Sequence, residues 1–125
     1  MHKILIADDD RTIRRICADV VCSEGHTCIE ASNGKLAWEI LFDNPDIKLV
    51  ILDMMMPELP GQELVKLLRG TTNFKELPII MISGVVGLRE ISGILELGAS
   101  RFMPKPIDTS HLREYLRFLL ETSQR

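Results

Sequence analysis

The chain alternates between two hydrophobic periods. Ile4–Ala7, Leu49–Leu52 and Ile79–Ile82 are apolar without a break, while the stretches between them carry apolar residues three and four apart. An unbroken apolar run of four residues bounded by turn signals is a strand covered on both faces. Lys3–Ala7, Lys48–Leu52 and the run opened by Pro78 are therefore predicted strands. His26–Ala31 is a less apolar strand, suited to a sheet edge, and Arg101–Met103 is a brief fifth.

Between the strands the period changes to that of a helix. Ile13, Ile16, Cys17, Val20 and Val21 define a first helix, capped by Asp9 or Asp10 and stopped at Gly25. The second follows Ser32-Asn33-Gly34, carries Leu36, Ala37, Ile40 and Leu41, and stops before Asn44-Pro45. Gly61–Arg69 forms the third, with Leu64, Val65, Leu67 and Leu68 inward and Gly70 at its end. The fourth, about Arg89 to Leu97, carries Ile91, Ile94 and Leu95 and ends at Gly98. Asp108, Thr109 or Ser110 caps the last, whose stripe is Leu112, Tyr115, Leu116, Leu119 and Leu120. Five strands alternating with five helices predict an α/β fold: a doubly wound parallel sheet with helices on both faces. With no linker, repeat or low-complexity tract, residues 1–125 are expected to be one complete domain, 121–125 being a natural end or the start of a linker.

Composition narrows the class without naming a function. At 125 residues, 46% hydrophobic and 26% charged, the chain can bury a substantial core. A net charge of -3 leaves no basic footprint for direct nucleic-acid binding. No apolar segment reaches membrane-spanning length, and the MHKILIADDD start is not a signal peptide. Cys17, Cys22 and Cys28 are odd in number and lack paired spacing, so reduced, semi-buried thiols in a cytoplasmic protein are expected.

The chemistry gathers at the strand ends. The first strand ends on Asp8 and Asp9, the third on Asp53, the fourth on Ser83, and the fifth runs into Lys105. Parallel strands point the same way, so these side chains share the sheet edge at which open α/β folds bind ligands. Crowded carboxylates repel unless a cation intervenes, and a hard oxygen-seeking ion such as Mg²⁺ suits them. A metal beside a carboxylate, with a hydroxyl and an ammonium opposite, suits phosphoryl transfer.

These residues resemble the receiver domain of two-component response regulators, the CheY-like family, over essentially the whole chain. The matching positions are Asp8-Asp9, Asp53 with Met56-Pro57 and Gly61, Ser83-Gly84, Gly98-Ala99, Phe102 and Lys105-Pro106. The resemblance implies a flavodoxin-like strand order 2-1-3-4-5 and Asp53 as phosphoacceptor. It implies Mg²⁺ bound by Asp9, Asp53 and the Met55 carbonyl, with Asp8 helping to position the metal. Ser83 and Lys105 are the implied phosphoryl ligands, Lys105-Pro106 the implied cis peptide, and Phe102 the aromatic that turns inward with Ser83. Implied partners are a histidine kinase or phosphotransfer protein and a downstream protein, effector domain or second copy. The downstream partner is implied to meet the face of helix four, strand five and helix five, where Arg89, Glu90, Ser100, Arg101, Arg113 and Arg117 are candidates.

Departures are small. Ser83 stands where many relatives have Thr, and Gly84 where many have Ala. Met55 and Val85, two residues past Asp53 and Ser83, are apolar and unable to orient water, which predicts slow to moderate self-dephosphorylation.

Blander readings remain for single residues. Asp8–Asp10 can be helix caps and loop charges, and Met54–Met56 turn and core packing. Lys66, Arg69 and Lys75 look like a solvated face, and His2, His26 and His111 look structural or exposed. No P-loop occurs. An enzyme alternative, a haloacid-dehalogenase-like phosphatase, would use Asp8 as nucleophile and Asp10 as acid/base but leaves Asp53 unexplained. A receiver fold that only docks, without phosphorylation, would not need all five polar groups.

Overall fold

The computed structural model describes residues 1–84 and 87–123. Five strands, β1 (Lys3–Ala7), β2 (Thr27–Ala31), β3 (Ile47–Asp53), β4 (Ile79–Ser83) and β5 (Arg101–Pro104), alternate with five α-helices. The helices are α1 (Arg11–Ser23), α2 (Gly34–Asp43), α3 (Gly61–Arg69), α4 (Leu88–Leu97) and α5 (Thr109–Ser123). All strand pairs are parallel, in the order β2-β1-β3-β4-β5. The expected doubly wound α/β fold and its strand order are both present.

The unbroken apolar runs follow from double-sided burial. Along β1, Leu5 and Ala7 face one layer and Ile4 and Ile6 the other. In β3 the alternation is Val50 and Leu52 against Leu49 and Ile51. The first layer is closed by α2, α3 and α4 through Leu41, Leu64, Leu68 and Ile94, the second by α1 and α5 through Val21, Leu112 and Leu116. Each such fully buried aliphatic side chain stabilises the fold by roughly 1.5–3 kcal/mol. Asp10 caps α1 by accepting from the Thr12 N–H at 2.8 Å, and Asn33 caps α2 from the Leu36 N–H at 2.7 Å.

Several helix-stripe expectations fail at the rims. Leu36, Leu67 and Leu95 are 38%, 43% and 42% exposed. In α4 only Ile94 is buried, and the helix packs against α3 and the edge strand β5. Arg69 is not part of a solvated face. Its guanidinium donates to the Gly98 carbonyl at 2.7 and 3.0 Å and to the Phe74 carbonyl at 2.9 Å, tying α3 to the end of α4. A short 3₁₀ turn at Thr72–Phe74, unsignalled by periodicity, buries Phe74 beneath that tie. The three thiols are unlike one another: Cys17 is buried, Cys22 exposed and Cys28 between, and all are free. The rings of His2 and His26 sit 5.4 Å apart. Among the described residues, no helix is long and apolar enough to cross a membrane.

Candidate functional site

Register brings the acidic strand ends together. Ala7 pairs with Leu52 across β1 and β3, so the next residues, Asp8 and Asp53, leave the sheet side by side. Asp53 in turn pairs with Ile82, which puts Ser83 one step beyond it on β4, and Ser83 pairs with Pro104 on β5. The Lys105 N–H donates to the Ser83 carbonyl at 2.9 Å, and the Lys105-Pro106 peptide is cis. Among the described residues, Asp8, Asp53 and Ser83 are the buried polar ones, at 2%, 3% and 1% exposure.

The loop after β3 lies tight against this corner because two positions lack a side chain. A Cβ on Gly61 would strike the Asp53 carbonyl, and one on Gly34 would strike the Leu59 carbonyl. The Gly61 N–H donates to the Met54 carbonyl at 3.0 Å. Between these anchors the loop turns at Glu58, a non-glycine residue with φ of 73°. The Met54–Met56 run splits accordingly. Met56 is buried and Met54 packs on the core, as expected of packing residues, but Met55 is 67% exposed at the lip. A groove of about 410 Å³ opens there, lined by Asp9, the three methionines, Pro57, Pro60 and Gln62.

Carboxylate oxygens of Asp8, Asp9 and Asp53 all lie within 4.8 Å of one another. Lys105 Nζ is 3.2 Å from Asp8 Oδ2 and 3.5 Å from Asp53 Oδ1. Asp8 Oδ1 accepts from the Asp10 N–H at 2.8 Å, whereas the buried Oδ2 receives no well-directed hydrogen bond, so its contact with Lys105 is an ion pair without good hydrogen-bond geometry. Burial pushes the Asp53 pKa up to about 6, and the neighbouring Asp8 charge adds to the rise against the pull of Lys105. Burial likewise raises Asp8, partly offset by the Asp10 N–H and Lys105. For Lys105 burial disfavours the ammonium, but the two flanking carboxylates outweigh it and raise its pKa.

One ammonium among three carboxylates leaves the corner with surplus negative charge and a buried oxygen short of a partner. That is a fit for a divalent cation with oxygen ligands. The donor set is compatible with Mg²⁺.

Sequence reasoning had brought Asp8, Asp9, Asp53, Ser83 and Lys105 to one edge, and all five stand there. Phe102 lies on β5 opposite Met81, half-buried against the α2–α3–α4 layer. Asp10 is exposed and occupied as the α1 cap. The expectation for Val85 lies outside the described residues. Arg14 was missed: its Nη1 donates to the Asp8 carbonyl at 2.7 Å while Nε pairs with Glu30 at 3.1 Å, bracing the end of β1. Its only sequence signal is its helical spacing, in the first turn of α1 and on the side of the buried Cys17 and Val21. Three of the surface candidates hold contacts within the fold. Ser100 Oγ accepts from the Ile79 N–H, and Arg113 and Arg117 pair with Glu24 on α1. Arg101 does lie by α5, its guanidinium 5.0 Å from the Phe118 ring centroid and 5.9 Å from that of Tyr115.

Comparison with known proteins agrees with this geometry. The family model described as response regulator receiver domain matches residues 4–117. The chemotaxis protein CheY homolog of Campylobacter jejuni is 37% identical over 121 residues, 96% of this chain and 93% of that protein. CheY1 of Helicobacter pylori is 39% identical over 122 residues, covering 97% and 98%. The transcriptional regulatory protein CpxR of Escherichia coli is 36% identical over 98% of this chain, which spans only 51% of that protein. Among solved structures, the Francisella response regulator 1452 receiver domain superposes with a TM-score of 0.90 at 26% identity, covering 98% of this chain and 99% of that one. The phosphatase alternative gains nothing from these matches. With its five-stranded sheet and acidic corner, the chain belongs to the receiver-domain family of two-component response regulators.

Proposed function

We propose that the chain is a phosphorylation-controlled switch that takes a phosphoryl group onto Asp53 from a phosphohistidine of a histidine kinase or phosphotransfer protein. The observation that carries this reading is the meeting of three carboxylates and one ammonium at a single sheet edge, with Asp53 at the centre. An Asp53 carboxylate oxygen attacks phosphorus, the P–N bond breaks, the imidazole leaves, and an acyl phosphate remains. With its pKa near 6, Asp53 is mostly ionised at neutral pH and available as a nucleophile. Lys105, already 3.5 Å from Asp53, and the Ser83 hydroxyl on the adjacent strand then hold the phosphoryl oxygens. Asp9, Asp53 and the Met55 carbonyl, with Asp8 helping to position it, would hold Mg²⁺, which would supply the positive charge that the transferring group requires.

Switching follows from the same contacts. Movement of Ser83 and Lys105 toward the phosphoryl group biases Phe102 and the surface built from α4, β5 and α5, where Arg101 lies over Tyr115 and Phe118. A downstream protein, an effector domain or a second copy reads that surface. The receiver unit is taken to extend over residues 1–125, since Leu119 and Leu120, beyond the matched segment, are still core residues.

The test is intact mass of wild type and Asp53→Ala after incubation with acetyl phosphate, with and without Mg²⁺. A single phosphoryl adduct that needs both Mg²⁺ and Asp53 is expected. An adduct that survives Asp53→Ala and is lost in Asp8→Ala would return the case to phosphatase chemistry, and no adduct at all would leave a docking module. The exposed Met55 side chain cannot orient an attacking water. The Met55→Asn, Val85→Glu double variant is accordingly expected to shorten the half-life of the adduct, and an unchanged half-life would refute slow self-dephosphorylation by this route.

A further inference from the structure

Helix α2 carries an aromatic pair that runs from the edge of the core out to the surface. Trp38 and Phe42 are one turn apart, with ring centroids 6.3 Å apart and planes tilted by 52°. Trp38 is half-buried against the core, whereas Phe42 is 69% exposed. Glu39 and Asp43, also one turn apart and exposed, flank the rings, and the four side chains line one groove of about 310 Å³. Neither carboxylate forms an ion pair among the described residues, although Lys35 stands one turn before Glu39. Like charges one turn apart weaken a helix, and an exposed Phe gains nothing from the fold.

We propose that this face of α2 is a docking site for a basic amphipathic segment of a partner protein. An Arg or Lys of that segment stacks on Trp38 and Phe42 and pairs with Glu39 and Asp43, while its apolar residues cover the Phe42 ring. Aromatic faces and carboxylates side by side are complementary to a guanidinium or ammonium group and to little else. A second copy is the poorer occupant, because a two-fold contact through this patch sets Glu39 and Asp43 against their own copies. An anionic lipid surface is repelled in the same way.

The site is independent of Asp53. The α2 amino terminus touches the loop after β3, where the Gly34 N–H donates to the Pro57 carbonyl at 3.4 Å, but the aromatic pair occupies the later turns of the helix.

Trp38 is the chain's single tryptophan, so its emission reports on this groove without a label. The probe is a synthetic peptide with arginine and leucine at helical spacing, beside the same peptide with glutamate for arginine. The arginine peptide is expected to shift and saturably change Trp38 emission in wild type and Asp53→Asn alike, with weaker binding at high salt, and the glutamate peptide to do nothing. The Glu39→Lys, Asp43→Lys double variant should bind at least about tenfold more weakly, in line with charge-pair losses at interfaces. Phe42→Ala should also weaken binding, and its far-UV circular dichroism should match wild type because the ring lies outside the core. No emission change at millimolar peptide, or equal binding by the charge-reversed variant, overturns the proposal. A concentration-dependent dimer abolished by Phe42→Ser, or an emission shift with anionic vesicles, would reassign the face and overturn it as well.

Discussion

Two charge clusters in this molecule are built from similar groups to opposite ends. At the far end of α1, Glu24 receives Arg117 and Arg113, two cations around one anion at the protein's rim. The Arg117 hydrogen bond and the two positive charges lower its pKa. At the carboxyl edge of the sheet, three carboxylates share one ammonium, and burial pushes Asp53 up to about 6. In the first cluster the carboxylate is fully paired, its cations reach solvent, and the pairing ties α1 to α5. The second is unsatisfied by the chain itself, and folding alone does not explain why it is kept. A buried surplus of like charge is the better marker of function, since structural ion pairs tend toward balance.

The contrast predicts opposite signs for the same chemical change. In metal-free buffer at neutral pH, Asp53→Asn should stabilise the fold against urea by on the order of 2 kcal/mol, because it removes a buried charge held about two pKa units above its ordinary value. Addition of Mg²⁺ should stabilise wild type and leave the variant little changed, through preferential binding to the folded state. A loss of stability in Asp53→Asn would mean that Lys105 already balances the corner, and the contrast would fail.

The pH dependence sharpens the same point. Asp53 has an ordinary value of 3.8 and is raised to about 6 in the folded chain, so between those values the folded state holds the extra proton. Its contribution to stability is full below about pH 4 and is lost as pH rises through 6. The stability gap between Asp53→Asn and wild type should therefore be small near pH 4, widen up to about pH 6–7, and then stay constant. A gap that does not change across this range would show that Asp53 titrates normally.

How far the sequence foretells this molecule depends on whether a residue's place is set by its own segment. Ile4–Ala7 and Leu49–Leu52 are covered on both faces, so every position is apolar and the strand is visible in the string alone. The polar residues that follow inherit their positions from strand direction, which is why the string alone brings Asp8, Asp53, Ser83 and Lys105 to one edge. Leu36, Leu67 and Leu95 fit a helical stripe but end at the rim, because the width of a helix's buried face is set by its neighbours. Arg69 reads as a solvated charge, yet it closes the Gly98 carbonyl of a distant segment. Arg14, for which the string gives no reading, closes the nearby Asp8 carbonyl and reaches across to Glu30 on β2. A tie of that kind leaves no local pattern.

The smallest expected effect belongs to the paired cluster at the rim, and there it tests the other half of the contrast. Glu24→Gln removes the charge that Arg113 and Arg117 share but keeps an amide oxygen able to accept a hydrogen bond. Pairs near the surface contribute about 0.2–1 kcal/mol each, much of which is retained by a neutral acceptor. Urea unfolding should therefore show a loss below about 1 kcal/mol, shrinking further in concentrated salt as screening weakens the wild-type pair. The sign is opposite to that expected of Asp53→Asn, and Mg²⁺ should make no difference to it. A gain on Glu24→Gln would mean that the α1–α5 tie is itself a strained site, and a loss above about 2 kcal/mol, beyond what surface pairs give, would make it part of the core's support. In either case the pairing of its carboxylates would no longer separate the structural cluster from the functional one.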